Sequence, residues 1–295
     1  MLTLRGSMVA LVTPFRGGAV DEQALRSLAR WQLEKGTDAL VPCGTTGEGA
    51  TLTADEHMRV VRICVEVARE NARGVRVIAG CGTNSTRTTL ENVQRAKEAG
   101  ADAALVVTPY YNKPTQEGLF RHFEVVAKEG GLPVVLYNVP SRTSVDLLPE
   151  TVGRLAKLPG VVGIKEASGN VVRVAEIRAL SPTLTILAGD DMYTLATLAM
   201  GGQGVISVAA NIVPEDFAML CDAFVDGNLP LAQNQQTRFA ALVRAMFCET
   251  NPLPVKHALY RMGRIAPELR LPLVPISAEG AAKVDKALAE YGGLL

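Results

Sequence analysis

The feature that most restricts the fold is an alternation of short apolar runs with longer segments of helical period, repeated along most of the chain. The runs 8–12, 38–42, 75–79, 103–107, 133–137, 161–166, 184–188 and 204–208 have strand length and little polar content, as parallel strands covered on both faces require. Between them lie helix signals. Asp21 opens 22–35 and Gly36 ends it, Thr53 and Glu56 make a capping box for 54–72, and Gly100 closes 87–99. Further helices are expected at 116–129, 147–157, 170–179 and 190–200, and after Pro214, whose missing N–H is harmless in a first turn. Units of this size close most simply into an α/β TIM (β/α)8 barrel by about residue 225. A doubly wound sheet has the same element order and is the alternative.

The chain has 295 residues, room for more than the barrel. Residues 226–295 read as a C-terminal helical domain, with helices at 228–248, 254–263 and 278–291 and breaks at Pro252, Pro254, Pro267, Pro272 and Pro275. Residues 1–225 are then the catalytic barrel. Thirty basic residues balance thirty acidic ones, so no global field recruits nucleic acid or an anionic membrane. No apolar run approaches membrane-spanning length, the start of the chain lacks a signal-like apolar core, and five scattered cysteines form no CxxC. These readings together point to the cytoplasm.

In a barrel the strand ends and the loops after them form the reactive face. Strict alternation in VVGIKE puts Val161, Gly163 and Lys165 on one face and Val162 with Ile164 on the other, with Gly163 leaving room beside the amine. A desolvated Lys165 in the mouth would attack a carbonyl as free amine; the structural alternative is an ion pair with Glu166. Tyr137 ends the preceding strand and is placed either to relay protons or to fill the core. Arg142, five residues on, carries a fork suited to a carboxylate, or is a solvated loop residue. In GTTGEGATLT, Gly44, Gly47 and Gly49 permit tight turns while Thr45 and Thr46 offer hydroxyls to a small acid; the loop lacks the lysine of a phosphate loop. Tyr110 and Tyr111 are adjacent, so an extended backbone would turn them apart. His57, His122 and His257 are scattered, no HExxH occurs and no serine sits in a nucleophile elbow, so neither a metal nor a cofactor is expected.

GTTGE at 44–48, TPYYNKP at 108–114, YNVPSRT at 137–143, GIKEASG at 163–169 and LAGDD at 187–191 closely resemble the dihydrodipicolinate synthase family, within the superfamily of class I pyruvate-dependent aldolases and N-acetylneuraminate lyase. The likeness runs from VALVTPF to LRLPLVP at 269–275. It implies a barrel with C-terminal helices, assembled as a homotetramer of tight dimers. It also implies a lyase in which Lys165 forms a Schiff base with pyruvate and condenses it with L-aspartate 4-semialdehyde, on the route to diaminopimelate and lysine. Tyr137, Thr45 and a Tyr111 donated across the tight dimer would then be the proton relay. Thr46 would hold the pyruvate carboxylate and Arg142 the carboxylate of the semialdehyde, with Gly189 and Ile206 lining the site. Ala50, His57, Asn84 and Tyr110 fall where lysine-inhibited members have an allosteric cleft, but Ala54 and Thr88 replace a histidine and a glutamate there. Loss of the carboxylate removes a partner for a lysine ammonium, so weak or absent feedback by lysine is expected. Sugar-acid aldolases or lyases of the superfamily, and a pyruvate-binding regulatory barrel without turnover, are the alternatives.

Overall fold

The structure is a computed structural model of the chain, and it describes residues 4–294. Ten strands form: β1 (Gly6–Ala10), β2 (Phe15–Arg16), β3 (Ala19–Val20), β4 (Ala39–Val41), β5 (Arg76–Gly80), β6 (Ala103–Val107), β7 (Val134–Asn138), β8 (Val161–Glu166), β9 (Thr185–Ala188) and β10 (Gly204–Ser207). Eight of them close into a parallel barrel in the order β1-β10-β9-β8-β7-β6-β5-β4, which decides against the doubly wound sheet. β2 and β3 pair as a small antiparallel hairpin that the sequence pattern does not reveal. The first strand starts and ends two residues earlier than the apolar run, because the Val12 amide turns to the Asn211 Oδ1 at 3.2 Å instead of a neighbouring strand.

Two apolar layers follow from the alternation of side chains along the strands. An outer layer packs strands against helices and includes Val9, Leu40, Val77, Val106, Leu136 and Ile164. An inner layer fills the barrel and includes Met8, Val41, Ile78, Leu105, Val135 and Ile206.

β8 departs from strict alternation. Val134 pairs with Val161 but Val135 pairs with Gly163, so Val162 is one extra residue. Val161 therefore belongs to the outer layer with Ile164, whereas Val162 packs on the inner layer, correcting the faces expected for both. Downstream of the bulge, Lys165 pairs in register with inward-facing Tyr137. The sequence-based direction for Lys165 holds although the count behind it does not.

The helices Glu22–Glu34 and Ala54–Glu70 carry the expected caps, Asp21 and the capping box of Thr53 with Glu56, and Thr86–Glu98 is capped by Ser85. Two predicted helices are divided. The 190–200 segment is a single 3-10 turn, Asp191–Tyr193, followed by Thr194–Ala199; the Asp190 carboxylate accepts from the Met192 amide. The 228–248 segment breaks into Leu229–Arg238 and Ala240–Met246 at Phe239, whose buried ring stacks on Phe217. Leu253–Arg261 and Ala278–Tyr291 complete the C-terminal part, and Phe239, Met246, Val255 and Leu259 share the outer apolar layer with the barrel.

Polar contacts bring that C-terminal part back over the barrel mouth. Lys256 is buried and donates to Glu48 Oε1 at 2.5 Å and to the Thr13 carbonyl at 3.0 Å. The Arg270 amide donates to the other Glu48 oxygen at 3.1 Å, and its guanidinium grips Glu56. The loop bearing Thr45 and Thr46 is thus clamped from behind by residues more than 200 positions away. Among the described residues no helix is long and apolar enough to cross a membrane.

Candidate active site

At the carboxyl ends of the strands lies a cavity of about 220 Å³ lined by Thr45, Thr46, Tyr137, Arg142, Lys165, Gly189 and Asn251, among others. Lys165 is 5% exposed, and its Nζ sits 4.5 Å from the centroid of the Tyr137 ring. Glu166, the structural alternative partner, faces elsewhere: it accepts from Ser168 N at 2.7 Å and Asn138 Nδ2 at 3.1 Å. Among the described residues Lys165 has no carboxylate within ion-pair distance.

Burial pushes the Lys165 amine down to about 8; the Arg142 cation adds to the fall, while the carboxylates of Asp191 and Asp190 oppose it. Asp191 is itself buried, and burial lifts its carboxyl to about 6 against the Ala209 amide and Ser207 hydroxyl that favour its anion. A primary amine near 8 is a nucleophile at neutral pH, with about a tenth of it uncharged at pH 7. The sign is fixed: only the neutral amine attacks, so imine formation should rise with pH through about 8 and level off above it. Cyanoborohydride trapping at limiting pyruvate measures this; a rate still climbing beyond pH 10 would mean that the amine keeps its ordinary affinity for a proton.

Room for the lysine comes from a different glycine than expected. A Cβ on Gly163 would press on Thr185 of the next strand, whereas one on Gly189 would lie 3.1 Å from Lys165 Cε and 2.7 Å from the Ala167 Cβ. The glycines of the threonine loop also act otherwise than expected. The left-handed positions are Cys43 and Glu48, while a Cβ on Gly49 or Gly80 would fall 2.1 or 2.4 Å from the Cys43 carbonyl oxygen. Gly49 and the strand-end Gly80 permit close approach, Gly47 likewise meets backbone, and Gly44 has open space beside it.

Tyr137 is buried, and burial raises its phenol to about 12; the Arg142 charge and a side-chain hydrogen bond with Thr45 pull the other way. It is therefore neutral at working pH and able to pass protons. The Thr46 hydroxyl accepts from Asn251 Nδ2 at 2.9 Å, leaving its own proton free to turn toward the cavity. Arg142 lies in a one-turn helix, Pro140–Thr143, and touches the Asn251 carbonyl at 3.4 Å. Ile206, expected to line the site, is fully buried in the inner layer and is not among the residues lining this cavity.

Tyr111 is not brought to this cavity. Its side chain is 89% exposed, on a backbone with φ of +74°. Such a conformation costs a bulky residue about 1–2 kcal/mol, and strain of this kind clusters at working sites. Beside the lysine cavity a second, of about 360 Å³, shares Thr45, Tyr137, Arg142 and Asn251 and is lined also by Ala50, His57 and Tyr110. Asn84 is not among its lining residues; its carbonyl accepts from Asn112 Nδ2 at 2.9 Å. His57 Nε2 meets the Gly80 carbonyl at 2.7 Å, and burial lowers its affinity for a proton. Ala54 and Thr88 are both exposed, at the starts of their helices. Among the described residues no cluster of His, Cys, Asp or Glu could hold a metal ion, and all five cysteines are free.

Sequence reasoning missed Asn251. It reaches the site from the C-terminal part, 205 positions from Thr46, and no local signal distinguishes it from a turn residue before Pro252.

Comparison with known proteins places this geometry in context. A family profile described as the dihydrodipicolinate synthetase family matches residues 3–291. The 4-hydroxy-tetrahydrodipicolinate synthase of Nitratidesulfovibrio vulgaris is 50% identical over 293 residues, covering 99% of both chains. That of Anaeromyxobacter sp. strain K is 54% identical over 294 residues, again with 99% of each covered. The crystal structure of the Acinetobacter baumannii dihydrodipicolinate synthase complexed with pyruvate superposes with a TM-score of 0.95 at 43% identity, covering 98% of this chain and 99% of that one.

Proposed function

The chain belongs to the dihydrodipicolinate synthetase family, and from that premise we propose that Lys165 is its Schiff-base lysine, with pyruvate and L-aspartate 4-semialdehyde as substrates. It is an enzyme, a Schiff-base lyase of the 4-hydroxy-tetrahydrodipicolinate synthase type in lysine biosynthesis. The observation that carries the residue assignment is the buried Lys165 amine beside Tyr137 in a cavity of only about 220 Å³. A pyruvate-sized acid suits that space, and the neighbouring relative's pyruvate complex favours the same substrate.

The neutral amine attacks the keto carbon of pyruvate, Thr46 receives the carboxylate, and loss of water gives the iminium. That cation is an electron sink, so a methyl proton leaves and the enamine forms. Tyr137 and Thr45 carry these protons between the reacting atoms and the mouth. The enamine carbon then attacks the aldehyde of the semialdehyde, whose carboxylate is held by the Arg142 fork. The semialdehyde's amine closes on the iminium carbon and releases Lys165, so one water leaves per ring formed. Residues 1–225 serve as the catalytic barrel and 226–295 as the helical part that backs the threonine loop. The five free cysteines suit a cytoplasmic setting.

The outward Tyr111 supports a tight dimer in which each Tyr111 completes the relay of its partner, and the family resemblance implies that two such dimers form a homotetramer. Complementation tests this. Tyr111→Phe and Lys165→Ala, each nearly inactive alone, should recover about a quarter of wild-type sites when mixed and re-paired at random, because the hybrid has one intact site. No recovery in proven hybrids would mean that Tyr111 serves a site on its own chain, and a Tyr111→Phe variant active by itself would place the residue outside the relay. The activity itself is tested by supplying aspartate semialdehyde or a panel of sugar acids with pyruvate. Condensation with the semialdehyde alone is expected; turnover confined to sugar acids would move the chain to that branch of the superfamily.

A further inference from the structure

One short stretch of the C-terminal part holds three consecutive residues of the threonine loop. Asn251 Nδ2 donates to Thr46 Oγ1 at 2.9 Å. Lys256 Nζ donates to the Thr13 carbonyl at 3.0 Å, and the Thr13 hydroxyl donates in turn to the Gly47 carbonyl at 2.7 Å. The same amine meets Glu48 Oε1 at 2.5 Å, with both side chains almost wholly buried, and lies 4.5 Å from the centroid of the Phe15 ring. Lys256 lines neither the lysine cavity nor the one beside it, so a ligand in either has no contact with its charge.

A buried ion pair adds little net stability, because desolvation of two charges offsets their attraction; what such a pair can supply is a fixed arrangement. Here it fixes Glu48, a left-handed residue with φ of +51° two positions after Thr46. The Glu48 amide donates to the Thr45 carbonyl at 3.1 Å, so the turn that carries the Thr45 hydroxyl to Tyr137 closes on the residue that Lys256 grips. We propose that Lys256 is a positioning residue for the proton relay: its contacts with Glu48 and Thr13 hold Thr45 in reach of the Tyr137 phenol, and their loss slows proton transfer at the bound pyruvate more than it slows imine formation. This rests on the function proposed above. In the step concerned a methyl proton of the iminium leaves to the relay, its bonding pair forms the enamine double bond, and the iminium π pair moves to nitrogen. Lys165 itself stands on β8, away from the clamp.

The test uses pyruvate alone in D2O, where return of a deuteron through the relay labels the methyl group and NMR reads the rate. Lys256→Met by itself leaves a buried carboxylate without its cation, so it is paired with Glu48→Gln, which removes both charges. In the double variant cyanoborohydride should still label Lys165, with the rate still levelling above about pH 8. Deuterium entry per trapped imine, and kcat for condensation, should each fall about 10- to 100-fold, the effect of a misplacement of about 1 Å. Thr13→Val keeps both charges and cuts only the hydroxyl link to Gly47; it should lower deuterium entry per imine by about three- to tenfold. Entry within about threefold of wild type in the double variant, or equal losses of entry and trapping, would overturn the assignment; should that chain not fold, unchanged entry in Thr13→Val would do the same. Failure of the wild type to trap pyruvate on Lys165 would instead strike the function on which the assignment rests, so the two failures are separable.

Discussion

Lys165→Met is expected to abolish condensation, with kcat reduced by at least about 10⁴-fold, because no other side chain supplies a covalent electron sink. The fold should survive and gain. Burial lowers the Lys165 amine to about 8 from an ordinary 10.5, so the folded state disfavours its proton relative to the unfolded chain. That penalty is fully present below pH 8 and fades as the pH rises through 10.5, above which both states are neutral. The variant should therefore melt higher than wild type at pH 7, and the gap should narrow as the pH approaches 10. A methionine keeps most of the volume, so the comparison is not obscured by a cavity. Thermal melts across that pH range, with single-turnover assays, check both parts; a variant that retains more than one part in about a thousand of the activity would remove Lys165 from the chemistry.

Tyr137→Phe separates proton transfer from binding. The ring remains beside Lys165, but the hydroxyl that meets Thr45 is gone. We expect kcat to fall by about 10²- to 10⁴-fold, the range of a positioned acid–base group, with the pyruvate KM nearly unchanged. Stability should move by no more than about 1 kcal/mol, the worth of one hydrogen bond. Cyanoborohydride should still label Lys165 in this variant, only more slowly. A KM that rises while kcat holds would show the phenol to be a binding group and leave the relay without its centre.

These effects depend on residues that differ in how plainly the sequence announces them. Lys165 and Tyr137 are legible because each ends an apolar strand, and the strand ends of a barrel converge. The eight barrel strands and the capped helices were legible for the same reason, since caps and periodicity are local properties. The bulge at Val162 was not: it depends on how two strands pair, and one chain read alone shows no register. Nor did the glycines of the threonine loop declare their use, because a close approach to the Cys43 carbonyl involves a neighbour folded back in space. Gly189 is the same case at the lysine itself.

Long-range polar contacts were the least visible of all. Asn251, Lys256 and Arg270 come from the C-terminal part, where the pattern suggested only helices and proline breaks, yet they hold Thr46, Glu48 and Glu56 around the mouth. Nothing in a local window couples positions that far apart. Tyr111 lies at the opposite extreme, since the pattern and the family resemblance singled it out, and within one chain it reaches out to solvent.

The most direct test of the account is to incubate the wild-type protein with pyruvate and cyanoborohydride near pH 8 and locate the label by peptide mass spectrometry. One reduced-pyruvate adduct per chain, on Lys165 and absent from Lys165→Met, is the predicted result. An adduct on another lysine, such as the buried Lys256, or none at all, would contradict the central claim that the cavity at the barrel mouth works through a Lys165 imine.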